Sequence, residues 1–206
     1  MKNKEKSFTI LDTNTRKDEP TLWVFGCSHS FGTGLEKDQK SYGVLLAEEL
    51  NMPLRVLAWP GSSTHFSLRH LVNSNIKKDD IVVWQLTTVE RFSYMEKKLL
   101  KEVILPVRPE QKFMEYHTDE QLHFQQLTLL NIGVNYLRAK GVKFVVTSIF
   151  SSGTHTFLLP DYEAYPEYCN TDNYEIDKAT DGFHAGPLSH QKISQMILKH
   201  IQYTNE

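Results

Sequence analysis

The chain carries only two cysteines, Cys27 and Cys169, in 206 residues, no long apolar run and no marked surplus of either charge. Two cysteines exclude a disulfide-stapled scaffold, and Cys27 stands in a tight turn that a crosslink would distort, so both thiols are expected free, as in reducing cytoplasm. No stretch approaches the roughly 20 apolar residues that a membrane-spanning helix needs. Lys and Arg total 23 against 25 Asp and Glu, a formal net charge of -2, and a nucleic-acid binder usually shows a basic surplus. Internal repeats and low-complexity tracts are also missing, which excludes solenoids and fibrous or disordered classes. The opening Met1 to Lys6 is charged and leads into no apolar signal core, so the expected location is the cytoplasm. His65, His70, His117, His123 and His155 lack metal-ligand spacing, and neither a metal nor another cofactor is expected.

What is present has the size of one α/β domain. Residues 1–20, ending in Asp18-Glu19-Pro20, read as a flexible leader, and 21–206 as a single domain. Leu22 to Phe25 is the first strand and Gln39 to Asn51 a helix with a stripe at Val44, Ala47 and Leu50. Leu54 to Ala58 reads as a buried strand, Phe66 to Asn75 as a helix, and Ile81 to Leu86 as the strand richest in β-branched residues. Leu122, Leu127, Leu130, Val134 and Leu137 mark a helix stopped by Gly141, and Val142 to Ile149 the next strand. Pro187 opens a last helix through Ile193, Ile197 and Ile201. Such alternation implies right-handed crossovers, a parallel sheet and helices on both its faces. Two stretches interrupt it, Thr88 to Asp119 and Ser151 to Thr180, and these are the candidate walls of a substrate cleft.

Ligands of open parallel sheets sit beyond the carboxyl ends of the strands. Gly26-Cys27-Ser28, Pro60-Gly61-Ser62 and Gln85-Leu86-Thr87 all fall at such ends and are expected to share one crevice. An apolar strand that stops at Gly26 and delivers the Ser28 hydroxyl, joined to a distant Asp181-Gly182-Phe183-His184, holds the three groups of a serine hydrolase. Ser28 would attack, His184 would take its proton, and Asp181 would orient the imidazole. The Ser28 backbone N–H and Gly61 are candidate oxyanion donors, since a residue without Cβ lets the backbone approach closely.

These blocks resemble those of the SGNH, or GDSL-type, hydrolases. That family opens with a strand and Gly-Asp-Ser-Leu, read here as Gly26-Cys27-Ser28-His29. Its second block has a glycine after the next strand, matched by Gly61, and its last is Asp-x-x-His before the final helix, matched by Asp181 and His184. The resemblance implies a flavodoxin-like three-layer α/β/α fold and ester cleavage. It fails at the third block, where an asparagine amide serves the oxyanion: Trp84 to Arg91 contains no asparagine. Gln85, Thr87 and Arg91 are the candidate substitutes, with Gln85 possibly turned away by strand alternation.

Each feature also has a plain structural explanation. Gly-x-Ser after a strand often caps a helix, a histidine near a helix start caps or packs, and Gly61 can simply shape a turn. His29 reads as a wall or surface residue rather than the base, His190 as a packing or capping residue, and Trp59 and Trp84 as core. The expected activity is removal of a small acyl group from a carbohydrate or other hydroxylated molecule, with a lipase or thioesterase of the same fold as rival. A non-catalytic glycan- or protein-binding module is the alternative that the missing asparagine motivates. A phosphate-holding loop at Gly26 to Gly34 lacks the Gly-Lys-Ser/Thr ending. Oligomeric state is not encoded in any of these motifs.

Overall fold

The computed structural model describes residues 11–12, 19–88, 91–96, 99–104, 119–148, 165–171 and 173–203. In chain order these form β1 (Leu11–Asp12), β2 (Leu22–Gly26), α1 (Ser28–Phe31), α2 (Tyr42–Leu50), β3 (Leu54–Ala58), α3 (Thr64–Asn73) and β4 (Ile81–Leu86). There follow β5 (Arg91–Glu96), β6 (Leu99–Ile104), α4 (Asp119–Lys140), β7 (Lys143–Ser148), β8 (Tyr168–Asn170) and α5 (Pro187–Tyr203).

One sheet has the order β1-β3-β2-β4-β7-β8. All its neighbours pair in parallel except β1, which lies antiparallel on β3. Successive side chains of a strand point to opposite faces, so an apolar run such as Leu22-Trp23-Val24-Phe25 suits a sheet covered on both sides. Leu22 and Val24 join Val83 and Val145 in a core closed by Tyr42 and Leu46 of α2 and by Ile193, Ile197 and Ile201 of α5. Trp23 and Phe25 join Val82, Trp84 and Val146 in a second core closed by Leu68 and Leu71 of α3 and by Leu130, Val134 and Leu137 of α4. This is the three-layer α/β/α arrangement expected from the alternation. Full burial of each such side chain contributes about 1.5–3 kcal/mol. Buried Asp80 pins the amino ends of β2 and β4 together, accepting hydrogen bonds from the Thr21 N–H, the Trp23 indole and the Lys77 N–H, each at 2.8 Å.

The order places β3 on one side of β2 and β4 on the other, so consecutive crossovers leave the carboxyl end of β2 in opposite directions. The crevice between them opens at Gly26.

The structure departs from the sequence reading in several places. The interval after Thr88 contains a local antiparallel pair, β5 with β6, rather than loop alone. The second interrupted stretch supplies β8 as the edge strand beside β7. Two residues of the leader, Leu11 and Asp12, pair with Val56 and Arg55. Helix α3 begins two residues before the expected Phe66 because the Ser63 hydroxyl accepts the Phe66 N–H and sets the start. Trp84 is fully buried, whereas Trp59 sits half-buried in the turn after β3 with its ring against Phe31. His117, His155, Ile149 and half of the second stretch lie outside the described residues.

Candidate active site

The first wall of the crevice is built by close approach at Gly26. A Cβ there would lie 2.2 Å from Ser30 Oγ and 2.9 Å from Gln85 Cβ. The absence of that atom lets the chain turn sharply from β2 into α1, with Ser28 at its first position and 4% exposed. The Ser28 carbonyl accepts the Gly32 and Thr33 N–H groups, both at 3.0 Å, and Gly32 ends the turn at φ 81°. From the neighbouring strand end, Ser62 Oγ donates to the Gly26 carbonyl at 3.0 Å, tying the Gly61 turn, with Gly61 at φ 79°, to the β2 end.

The histidine arrives on the segment before α5. Lys178 bridges to Ala185, and the Ala179 N–H donates to the His184 carbonyl, folding residues 178–185 into a tight loop. Asp177 fixes its base by accepting from the Leu188 and Ser189 N–H groups at the start of α5. Burial alone would raise the Asp177 carboxyl, but these donors outweigh it and hold its pKa below the usual value. Within the loop, Asp181 Oδ1 accepts the Phe183 and His184 N–H groups at 2.9 and 3.0 Å, and Oδ2 accepts His184 Nδ1–H at 2.5 Å. Those donors, the His184 N–H foremost, pull the Asp181 carboxyl down to about 2. With Nδ1 occupied by the carboxylate, Nε2 is left as the basic nitrogen.

Two contacts bring this loop to the Ser28 turn. Thr180 donates to the Gly34 carbonyl from its N–H at 3.2 Å and from its hydroxyl at 2.8 Å. Gly34, at φ 84°, lies so near that a Cβ would stand 2.8 Å from Asp181 Oδ2. The ring of His29, next to Ser28, meets the His184 ring edge to face at 5.5 Å between centroids. Among the described residues no hydrogen bond runs from Ser28 Oγ to His184; the serine hydroxyl has a weak contact with Cys27 Sγ at 3.9 Å. Catalytic hydrogen bonds are often loose without substrate and tighten on binding.

The three candidate substitutes for the missing asparagine occupy different environments. Gln85 is fully buried beneath the turn: its Oε1 accepts from Ser30 Oγ at 2.5 Å, and its Nε2 donates to Cys27 Sγ at 3.2 Å and the Leu86 carbonyl at 3.5 Å. Ser30 Oγ also bonds the Tyr42 hydroxyl at 2.6 Å. Thr87 follows at the end of β4, its hydroxyl accepting from Arg91 Nη1 at 3.2 Å. Its N–H donates to Thr64 Oγ1, and Gln126 Nε2 donates to both Thr64 Oγ1 and the Thr87 carbonyl. Thr64 and Gln126 were not legible as site residues, for Gln126 reaches β4 only because α4 packs there.

His29 is buried rather than at the surface, with its ring against His184. His190 packs at zero exposure, and it caps α2 rather than its own helix, its Nδ1 accepting the Tyr42 N–H at 3.1 Å. Burial lowers its pKa to about 4. Among the described residues no group of three or more His, Cys, Asp or Glu is placed to hold a metal ion, and no helix is long and apolar enough to cross a membrane.

Solved structures share this architecture. A carbohydrate esterase family 2 enzyme with a carbohydrate-binding domain from Corynascus thermopiles (Myceliophthora fergusii) superposes with a TM-score of 0.64 at 15% identity, over 94% of this chain and 68% of that one. A GDSL-like lipase from Bacteroides thetaiotaomicron VPI-5482 gives 0.52 at 11% identity, over 93% and 92%. This chain has the SGNH hydrolase fold. Axe2, an acetylxylan esterase from Geobacillus stearothermophilus, shares that fold with a TM-score of 0.54 at 13% identity, over 89% of this chain and 94% of that one. No protein-family model matches the chain, and no curated protein sequence matches it.

Proposed function

We propose that this chain is a serine ester hydrolase in which Ser28 is the nucleophile, His184 the general base and Asp181 the residue that orients it. The observation that carries the reading is the Asp181–His184 hydrogen bond on a loop tied through Thr180 and Gly34 to the Ser28 turn. Ser28 Oγ attacks the ester carbonyl as its proton passes to His184 Nε2. The tetrahedral intermediate then expels the alcohol, which leaves with that proton. Water, deprotonated by the same nitrogen, attacks the acyl-serine and releases the acid, restoring Ser28 and His184.

The Ser28 and Gly61 N–H groups are the first two oxyanion donors in this reading. Arg91, bonded to Thr87, is the third, because the Gln85 amide is engaged beneath the turn. One such donor accounts for about 3–4 kcal/mol of transition-state stabilisation. The substrate is a small acyl ester of a carbohydrate or related hydroxylated molecule. This choice rests on the esterases that share the fold.

Hydrolysis of p-nitrophenyl acetate and of acetylated xylooligosaccharides tests the proposal. Ser28→Ala is expected to lower kcat by at least about 10³-fold, and wild-type turnover in that variant would overturn it. The second reading, a binding module without catalysis, is favoured by the lack of a Ser28–His184 hydrogen bond and of the third-block asparagine. Labelling by a fluorophosphonate that Ser28→Ala abolishes would exclude it.

A further inference from the structure

The SGNH block that this chain resembles continues with leucine after the nucleophile, and here the residue is His29. His29 is 7% exposed, and its ring packs edge-on against two others, His184 at 5.5 Å and 63° and Tyr174 at 6.0 Å and 80°. Among the described residues, the one hydrogen bond to the His184 imidazole is that between Nδ1 and Asp181 Oδ2. A single hydrogen bond fixes one point of a ring and leaves the ring free to swing about it, so the direction of Nε2 needs a second constraint. Edge-to-face packing against a ring that is itself held by Tyr174 supplies one.

We propose that His29 is a positioning residue for the general base, bracing the His184 imidazole so that Nε2 faces the Ser28 hydroxyl. The inference rests on the catalytic reading given above. His29 touches no reacting atom in this role; it acts through His184.

The brace has to stay uncharged while His184 gains and loses a proton. Burial, and then the positive charges of His184, His190, Arg91 and Lys178, hold the His29 imidazole down to about 3, so it remains neutral when its neighbour is protonated. A charged brace would repel the imidazolium formed during attack, and a neutral aromatic one does not. Leucine fills a similar volume but offers no flat face to fix the angle of an adjoining ring.

The test compares His29→Phe, which keeps a flat ring, with His29→Asn, which keeps polarity without an aromatic ring, and with His29→Ala, all assayed on p-nitrophenyl acetate beside Ser28→Ala. A ring misdirected by even a small displacement loses about tenfold or more in rate. His29→Ala and His29→Asn are expected to lower kcat by about tenfold or more with KM within about twofold, and His29→Phe to return kcat to within about threefold of wild type. A kcat unchanged in His29→Ala, or rescued by Asn and not by Phe, overturns the proposal while leaving the catalytic reading intact. Turnover in Ser28→Ala overturns both. Should His29→Ala fail to fold, proton NMR of the unmutated protein decides: cross-peaks between the His29 and His184 ring protons are expected, and their absence refutes the brace.

Discussion

The two sides of the crevice are held by opposite means. Beneath Ser28, the Gly26 turn rests on a buried chain of polar side chains, Gln85, Ser30 and Tyr42, each at zero exposure. Across from it, Asp181 and His184 stand on an exposed loop whose order comes from backbone N–H groups bonded to one carboxylate, with Phe183 at its tip 83% exposed. Ser28, the proposed nucleophile, is thereby fixed by the core, and loosening it should cost stability. His184, the proposed base, is fixed by local hydrogen bonds near solvent, and loosening it should cost rate with little change in stability.

The largest expected effect lies on the exposed side. Asp181→Asn leaves the loop's shape nearly intact but removes the charge that selects the His184 tautomer, and kcat is expected to fall by about 10⁴-fold. Thermal melting at neutral pH should fall only modestly, because the asparagine oxygen still accepts the Phe183 and His184 N–H groups and solvent screens the lost charge. Because the folded pKa of Asp181 is about 2, below its ordinary 3.8, its contribution to stability is fully present above pH 3.8 and is lost as the pH falls through 2. Asp181→Asn should therefore flatten the melting curve in that window. A large drop in melting temperature at pH 7 would break the contrast.

On the buried side, Gln85→Ala takes one hydrogen-bond partner from Ser30, which keeps the Tyr42 hydroxyl, and the amide donor from Cys27, and it opens a cavity. A loss of about 3 kcal/mol in unfolding free energy is expected, read by urea denaturation. Activity should fall only in proportion to the loosened Ser28 turn, and a stable variant with abolished turnover would place Gln85 among the oxyanion donors instead.

A smaller effect sharpens the same comparison by pH. Buried His190 has a folded pKa of about 4 against an ordinary 6.5, so the unfolded chain takes up a proton that the folded chain refuses, and stability declines as pH falls from 6.5 towards 4. His29 contributes to the same decline by the same argument. His190→Asn, which keeps an acceptor for the Tyr42 N–H, is expected to reduce the slope of melting temperature against pH across this window. An unaltered slope would show that the decline has another source.

Much of the scaffold was readable because its signals are local. The apolar runs at Leu22 and Ile81, the stripe from Leu122 to Leu137 and Pro187 each report the environment of their own segment. The β5–β6 pair escaped because Arg91 to Ile104 has no clean alternation, and such a ribbon is fixed by register between its own strands. The Asp181–His184 pair was legible because four consecutive residues of one loop contain both partners. The environments of Gln85, Thr87 and Arg91 were not, since nothing in a strand's sequence tells which helix covers it.

By itself the sequence determined an alternating parallel α/β chain with a Gly-x-Ser turn near one end and an Asp-x-x-His loop near the other, because hydrophobic periodicity and short-range hydrogen-bonding geometry act over a few residues. Tertiary structure alone decided that His29 meets His184, that Gln85 lies beneath the turn, and that His190 caps a helix 148 positions away. Those contacts depend on how layers stack across the sheet, and stacking is settled by the shapes of two cores filled together.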